Sequence, residues 1–187
     1  MFSKEDLKKA WDYVWNGKGL IPLLLNVLIA FLLVKYIIYP GLGLIFNTDL
    51  PVVAVVSGSM SHNGLDFNSW WRQNEDLYVQ RNISKEKFLS FPLKNGFNKG
   101  DIMVLYGTKI ENLNIGDVIV YKNPQYNYPV IHRVVDIKDT FETKGDHNLV
   151  SDPNPVRKDQ IVGKAILRIP YLGWVKIVFT EIISSVV

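Results

Sequence analysis

At 187 residues, and with about 150 residues per domain as the usual size, the chain reads as one domain with appendages. Its 21 Lys and Arg against 18 Asp and Glu leave +3, too close to balance for an acidic solvating chain or a strongly basic nucleic-acid binder, and 48% apolar residues argue against disorder. The absence of Cys removes disulfide frameworks, thiolate nucleophiles, Cys-based zinc sites and iron–sulfur clusters together, and three His offer little to a His-rich metal centre.

Residues 3–15 read SKEDLKKAWDYVW. Ser3 can cap a helix, and Leu7, Trp11, Val14 and Trp15 fall on one face, as in a helix lying at a membrane interface; a frayed tail is the alternative. Residues 20–39 read LIPLLLNVLIAFLLVKYIIY. At about 1.5 Å per residue this run spans roughly 30 Å, the thickness of a bilayer core. Lys35 is its one charge and can snorkel to the interface, and Pro22 falls in the first turn, where proline costs little. A cleaved signal peptide would have a shorter apolar region and a small-residue cleavage site; Tyr39-Pro40-Gly41-Leu42 comes next here, so an uncleaved anchor is the better reading. Lys4, Lys8, Lys9 and Lys18 precede the run, and after Lys35 the next basic residue is Arg72. The excess of positive charge predicts a cytoplasmic N-terminus, with the rest of the chain across a cell membrane that it crosses once.

The middle of the chain reads as strands. Short β-branched runs at 51–57, 101–106, 117–121, 129–137, 140–144 and 161–169 are separated by turn residues. Two are near copies: 100–106 is GDIMVLY and 116–121 is GDVIVY, each a Gly-Asp turn feeding a strand of one sheet or barrel. Residues 61–98 differ, being polar, rich in Asn and aromatics, and without strand periodicity. Within them 84–89 can form a short helix capped by Ser84, and the whole reads as an insertion or lid beside the sheet. Asn82-Ile83-Ser84 is a glycosylation sequon, a triplet also common by chance. In 173–187, Val175, Val178, Phe179, Ile182, Ile183 and Val186 share a helical face opposite Lys176, Thr180, Glu181 and Ser184. A helix lying in the interface fits better than a second, short span. The predicted organisation is thus a cytoplasmic segment 1–19, an anchor 20–39, a β-rich domain 47–170 with the insertion 61–98, and a membrane-associated helix 171–187.

Three places carry candidate chemistry. Ser57-Gly58-Ser59-Met60 comes directly after the first strand, where a hydroxyl at a sheet end can serve as a nucleophile, with Gly lending backbone freedom; Ser-Gly is also an ordinary turn. His132 alternates with Val130 and Val134 on a strand face, as a general base or as a satisfied core histidine. Lys144-Gly145-Asp146-His147-Asn148, then Asp152, offers carboxylates to orient an imidazole, though Gly-Asp and Asp-Pro are turn formers too.

An anchor, then SGSM, GDVIVY, IHRVV and TKGDHN in this order, resembles the type I signal peptidases, in their archaeal and endoplasmic-reticulum branch. The resemblance covers most of residues 20–175. It implies a mainly β, signal-peptidase-like sheet or barrel with an N-terminal transmembrane helix and a C-terminal amphipathic or membrane-associated helix. It implies Ser59 as nucleophile, His132 as base where the bacterial branch uses a Lys, Asp152 as third member, and Asp146 as an additional catalytic Asp. Ser57 and the Ser59 amide would form the oxyanion hole, with Asp117 and Arg133 structural. It further implies cleavage of signal peptides from secretory preproteins without a cofactor or metal, at a lipid surface, with small residues favoured one and three positions before the cut and the translocation machinery as a candidate partner. The insertion 61–98 departs from the shortest family pattern. Which of Asp146 and Asp152 bonds His132 stays open. So do three competing readings: a Ser–Lys protease with Lys122 or Lys144 as base, a non-catalytic membrane-anchored β module of a secretion complex, and metal-dependent hydrolysis. The Lys-, Asn- and Ile-rich composition points to an archaeon over a eukaryote.

Overall fold

The computed structural model describes residues 3–126 and 128–186. It divides into two units, Met1–Ile45 and Phe46–Val187.

In the first unit, helix α1 (Lys4–Asn16) begins with a reciprocal cap. Ser3 Oγ accepts from the Asp6 amide at 3.1 Å, and the Asp6 carboxylate accepts from the Ser3 amide at 3.0 Å. The segment is therefore helix and not frayed tail, with Leu7, Trp11 and Trp15 exposed along it. The turn at Gly17 is tight, because a side chain there would run into the Tyr13 carbonyl and Pro22. The apolar run forms α2 (Leu20–Leu33), a wider π turn (Val34–Ile38) and α3 (Tyr39–Phe46). Together these make one helix of 27 residues, Leu20–Phe46, long and apolar enough to cross a membrane. It runs past the predicted end at residue 39 and through Pro40. A proline ring meets the carbonyl four residues back, and the wider turn directly before Pro40 relieves that clash. Asn26, the polar residue within α2, donates to the Val14 carbonyl at 2.7 Å.

The second unit is built on an antiparallel sheet of six strands: β1 (Val52–Ala54), β2 (Ile102–Tyr106), β3 (Val118–Tyr121), β4 (Val130–Ile137), β5 (Phe141–Lys144) and β6 (Ile161–Ile169). Each falls inside a run predicted from sequence. The order is β1-β2-β6-β3-β4-β5, so the last strand lies between the two Gly-Asp strands. Those strands start alike. The carboxylates of Asp101 and Asp117 accept from the amides of Asn98 and Asn114 at 2.8 and 2.9 Å, across turns in which Gly100 and Gly116 have φ of +91° and +98°. Both carboxylates pair with β6, Asp117 with Lys164 at 2.6 Å and Asp101 with Arg168 at 2.7 Å.

Residues 61–98 form a helical layer. Helix α4 (Phe67–Gln80) starts at Asp66, whose carboxylate accepts from the Asn68 and Ser69 amides. The short α5 (Lys85–Leu89) is capped by Ser84, as its sequence predicts. Trp70, Trp71, Tyr78, Ile83, Phe88 and Phe91 bury together against Val135 of β4. The sequence offers no strand alternation here because its apolar positions, Phe67, Trp70, Trp71 and Tyr78, keep helical spacing. This layer explains why His132 to Val135 are all buried: β4 has its core on one face and the aromatic cluster on the other. Fully burying each such aromatic side chain stabilises the fold by about 1.5–3 kcal/mol.

Helix α6 (Trp174–Val186) closes the chain and packs near β1. Ile177 turns inward, whereas Val175, Val178, Phe179 and Ile182 are exposed. The side chains of Ile183 and Val186, assigned to the same face, lie outside the described residues.

Candidate active site

The Ser57–Met60 segment leaves β1 and is fixed at its C-terminal end. Met60 is fully buried, its carbonyl accepts from the Phe97 amide at 3.0 Å, and the Ser59 carbonyl accepts from the His147 amide at 2.8 Å. The backbone carrying the Ser59 hydroxyl is thereby held while Ser57 and Gly58 stay exposed. Gly58 is not among the residues with positive φ, and a side chain built there would touch nothing. Its contribution is open space beside Ser59 rather than the backbone freedom expected from sequence.

His132 sits opposite Ile119 in the β3–β4 ladder. Its Nε2 lies 3.0 Å from Ser59 Oγ and its Nδ1 lies 2.7 Å from Asp152 Oδ2. Burial alone would raise the Asp152 carboxyl, but hydrogen bonds from His132, Thr143 and Tyr121 outweigh it and hold the group below the usual carboxylate range. An ionised carboxylate only accepts, so Nδ1 carries the ring proton of neutral His132. Nε2 is then free to accept from the Ser59 hydroxyl. Ser57 Oγ lies 3.2 Å from Ser59 Oγ, on the exposed side.

This constellation is one serine, one imidazole and one carboxylate in hydrogen-bonded sequence, drawn from three separate stretches of chain. The chain as a whole is similar to proteins of named role. The chain is 28% identical to the signal peptidase complex catalytic subunit SEC11 of Scheffersomyces stipitis, over 78% of this chain and 75% of that protein. It is 26% identical to the SEC11 protein of Colletotrichum graminicola, over 78% and 73%. With the human signal peptidase complex catalytic subunit SEC11C it shares 26%, over 77% of this chain and 65% of that one. This chain is a relative of the signal peptidase catalytic subunits. No protein-family model matches it. These relatives are eukaryotic, and they lend no support to the archaeal source that composition suggested.

Asp146 lies in a different network from the His132 pair. It is fully buried and takes a two-pronged bond from Arg133, Nε to Oδ1 at 2.8 Å and Nη2 to Oδ2 at 2.7 Å. Tyr78 OH donates to Oδ1 at 3.0 Å, and His62 Nε2 stands 3.5 Å from Oδ2. Burial would raise this carboxyl, yet the charge and hydrogen bonds of Arg133, with His62, hold it well below the usual range. Arg133 also donates to the carbonyls of Pro92, Leu93 and Gly116 at 2.8–3.0 Å, so its guanidinium fastens β4 to the end of the helical layer. Its structural assignment fits these contacts, as does that of Asp117 at the start of β3.

Among the described residues neither lysine considered as an alternative base is hydrogen-bonded to Ser59 Oγ, whose partners are His132 and Ser57. Lys122 is exposed. Lys144 Nζ is buried and donates to the Gly145 carbonyl at 3.1 Å, beside the Tyr78 ring. Burial pushes Lys144 down to about 8. Among the described residues no group of three or more His, Asp or Glu is arranged to hold a metal ion. Two residues that the sequence did not single out touch the site: Tyr121 OH donates to Asp152 Oδ2 at 2.9 Å and Thr143 Oγ1 donates to the same oxygen at 2.5 Å. They close the GDVIVY motif and open the TKGDHN motif, positions that gave the only hint.

Proposed function

We propose that this chain is a membrane-bound serine endopeptidase that removes signal peptides from translocated preproteins, with Ser59, His132 and Asp152 as its catalytic residues. The observation that carries the reading is the unbroken series Ser59 Oγ, His132 Nε2, His132 Nδ1, Asp152 Oδ2, with links of 3.0 and 2.7 Å. The relationship to signal peptidase catalytic subunits supports the substrate class.

Ser59 Oγ attacks the scissile carbonyl carbon as its proton passes to His132 Nε2. Asp152 holds the imidazole in the right tautomer and stabilises the imidazolium. The carbonyl oxygen becomes an oxyanion that takes hydrogen bonds from the Ser57 hydroxyl and the Ser59 amide. Losing one such donor typically costs about 10²–10³ in rate. His132 then gives its proton to the departing amine as the C–N bond breaks, leaving an ester on Ser59. Water adds to the ester, delivering a proton to His132, and collapse returns that proton to Ser59 and frees the acid. Asp146 supports this chemistry from a distance, by holding the Gly145–His147 turn whose amide bonds the Ser59 carbonyl.

The helix Leu20–Phe46 serves as the anchor, with the N-terminus cytoplasmic and the sheet on the far side, the orientation favoured by the lysines before it. The exposed apolar residues of α6 fit contact with lipid. Secretory preproteins with small side chains at the cleavage site are the substrates, and the translocation machinery is a candidate partner.

The test is cleavage of a purified preprotein by the detergent-solubilised chain, with the cut read by mass spectrometry. The expected result is one cut after a small residue, lost in Ser59→Ala and in His132→Ala. Activity surviving in His132→Ala would move the base to a lysine. A phenotype unchanged by Ser59→Ala would leave a non-catalytic module.

A further inference from the structure

One carboxylate oxygen, Asp152 Oδ2, accepts three hydrogen bonds: from His132 Nδ1 at 2.7 Å, Tyr121 OH at 2.9 Å and Thr143 Oγ1 at 2.5 Å. The donors come from three adjacent strands. His132 is on β4, and Tyr121 and Thr143 are on its two neighbours, β3 and β5. Tyr121 and Thr143 are both buried. The backbone of Asp152 is held separately, its amide donating to the Thr143 carbonyl at 2.8 Å, so the hydroxyls are not needed to fix the loop.

We propose that Tyr121 and Thr143 are positioning residues that set how strongly Asp152 supports the His132 imidazolium, and hence where the peptidase loses activity in acid. This rests on the serine-peptidase reading above. A carboxylate oxygen that bonds two neutral hydroxyls has its negative charge partly satisfied before the imidazolium forms. Removing one hydroxyl returns that charge to the His132 bond. His132 then holds its proton more tightly, and the acidic limb of kcat/KM moves to higher pH. A hydroxyl that only held Asp152 in place would act otherwise: its loss would lower kcat at every pH and leave the limb where it was.

The other charged or titratable groups around the pair are Lys144 and Glu142 on β5, Asp136 and Lys138 at the end of β4, Arg81 after α4, and Tyr126 in the β3–β4 turn. None of these is replaced in the variants. The two hydroxyls themselves lie 3.3 Å apart, so it is agreement of Tyr121→Phe with Thr143→Val that ties a shift of the limb to the shared oxygen.

The experiment measures kcat/KM for preprotein cleavage from about pH 4.5 to 9, across the range in which a histidine titrates, with the full chain in detergent. Tyr121→Phe, Thr143→Val and Thr143→Ser are compared with the unaltered protein, and the His132 ring is titrated by NMR, its signal assigned by difference from His132→Gln. The expected result is an upward shift of the limb by about half a pH unit, about threefold in proton affinity, in Tyr121→Phe and in Thr143→Val. Thr143→Ser, which keeps the hydroxyl, restores the original limb. An unmoved limb with kcat lowered evenly, or a profile matching the unaltered protein, would overturn the proposal. Cleavage undiminished in Ser59→Ala would instead overturn the peptidase reading. The ring titration still tests the hydrogen-bond argument in that case, because it needs no turnover. Two variants on separate strands keep the test open if one misfolds.

Discussion

Replacing each of two aspartates by asparagine separates the two networks around Ser59. In Asp146→Asn the buried Arg133 guanidinium loses its counter-charge while its bonds to the carbonyls of Pro92, Leu93 and Gly116 remain. Breaking a buried pair from one side costs about 3–5 kcal/mol. Asp146 and Arg133 are both 0% exposed, so water cannot take over, and the upper part of that range applies. For a unit of this size each kcal/mol lowers the unfolding temperature by roughly 3–4 °C, so about 4–5 kcal/mol gives a fall of about 12–20 °C. Asp152→Asn keeps an acceptor for Tyr121 and Thr143 and sits at the edge of solvent, so its stability changes little. What it loses is the anion beside His132, and kcat falls by about 10²–10⁴. Thermal unfolding in detergent, with initial rates taken well below both transitions, reads the two effects independently. Unfolding of Asp146→Asn within a few degrees of the unaltered protein, together with a collapse of its kcat, would refute this division. That result would put Asp146 in the chemistry, as the family resemblance implies.

Gly145 lies where an added Cβ would come within 2.6 Å of the Ser59 carbonyl oxygen, so Gly145→Ala should displace the Ser59 hydroxyl. A loss of about 10–100-fold in kcat is expected from steady-state rates, with a fall in stability of about 1–3 kcal/mol in a melting curve from the overpacked turn. Phe88 lies 4.9–5.4 Å, centroid to centroid, from Trp70, Trp71 and Tyr78 and stacks under Arg133, so Phe88→Ala should cost about 3–5 kcal/mol in denaturant unfolding. A cost below about 1 kcal/mol, under the usual range for a buried aromatic, would show that the helical layer adds little to the sheet. Lys144 takes up a proton near pH 8 when folded and at 10.5 when unfolded. Between those values the unfolded chain binds more protons, so stability rises with pH, by up to about 3 kcal/mol, and is flat on either side. Urea unfolding from about pH 7 to 11, which brackets both values, should show this rise in the unaltered protein and not in Lys144→Met; parallel curves would refute it.

The strands are legible in the sequence because each buries at least one face and carries β-branched residues between turn formers, a local signal. The apolar helix is legible for the same reason, but its end is not: the apolar run reads as bounded at Tyr39, and the π turn that lets the helix pass Pro40 depends on backbone geometry rather than residue type. Helix α4 is hidden in a polar composition. Its Asp66 cap and the spacing of Phe67, Trp70, Trp71 and Tyr78 are visible signals, masked by the Asn, Gln and charged residues between them. At the site, residue types and motif order nominate Ser59, His132, Asp146 and Asp152, but no spacing divides the two aspartates. That division comes from contacts across 13 to 73 residues, where Arg133 claims Asp146 and His132 reaches back to Ser59. Tyr121 and Thr143 look like ordinary strand residues because their hydroxyls matter only once three strands are side by side.

The place of β6 makes one strand the joint of the whole sheet. Ser59 comes after β1, which pairs with β2, whereas His132 and Asp152 belong to the ladder β3-β4-β5 and the loop beyond it. Within the sheet the two halves meet only through β6, which is made after all of them and is clasped by Asp101 on one side and Asp117 on the other. Outside the sheet the halves also meet directly, where the Ser59 carbonyl accepts from the His147 amide at 2.8 Å. The alignment of Ser59 with His132 thus rests on one strand and on the loop contacts between them, so a slip in the register of β6 would be felt at both residues.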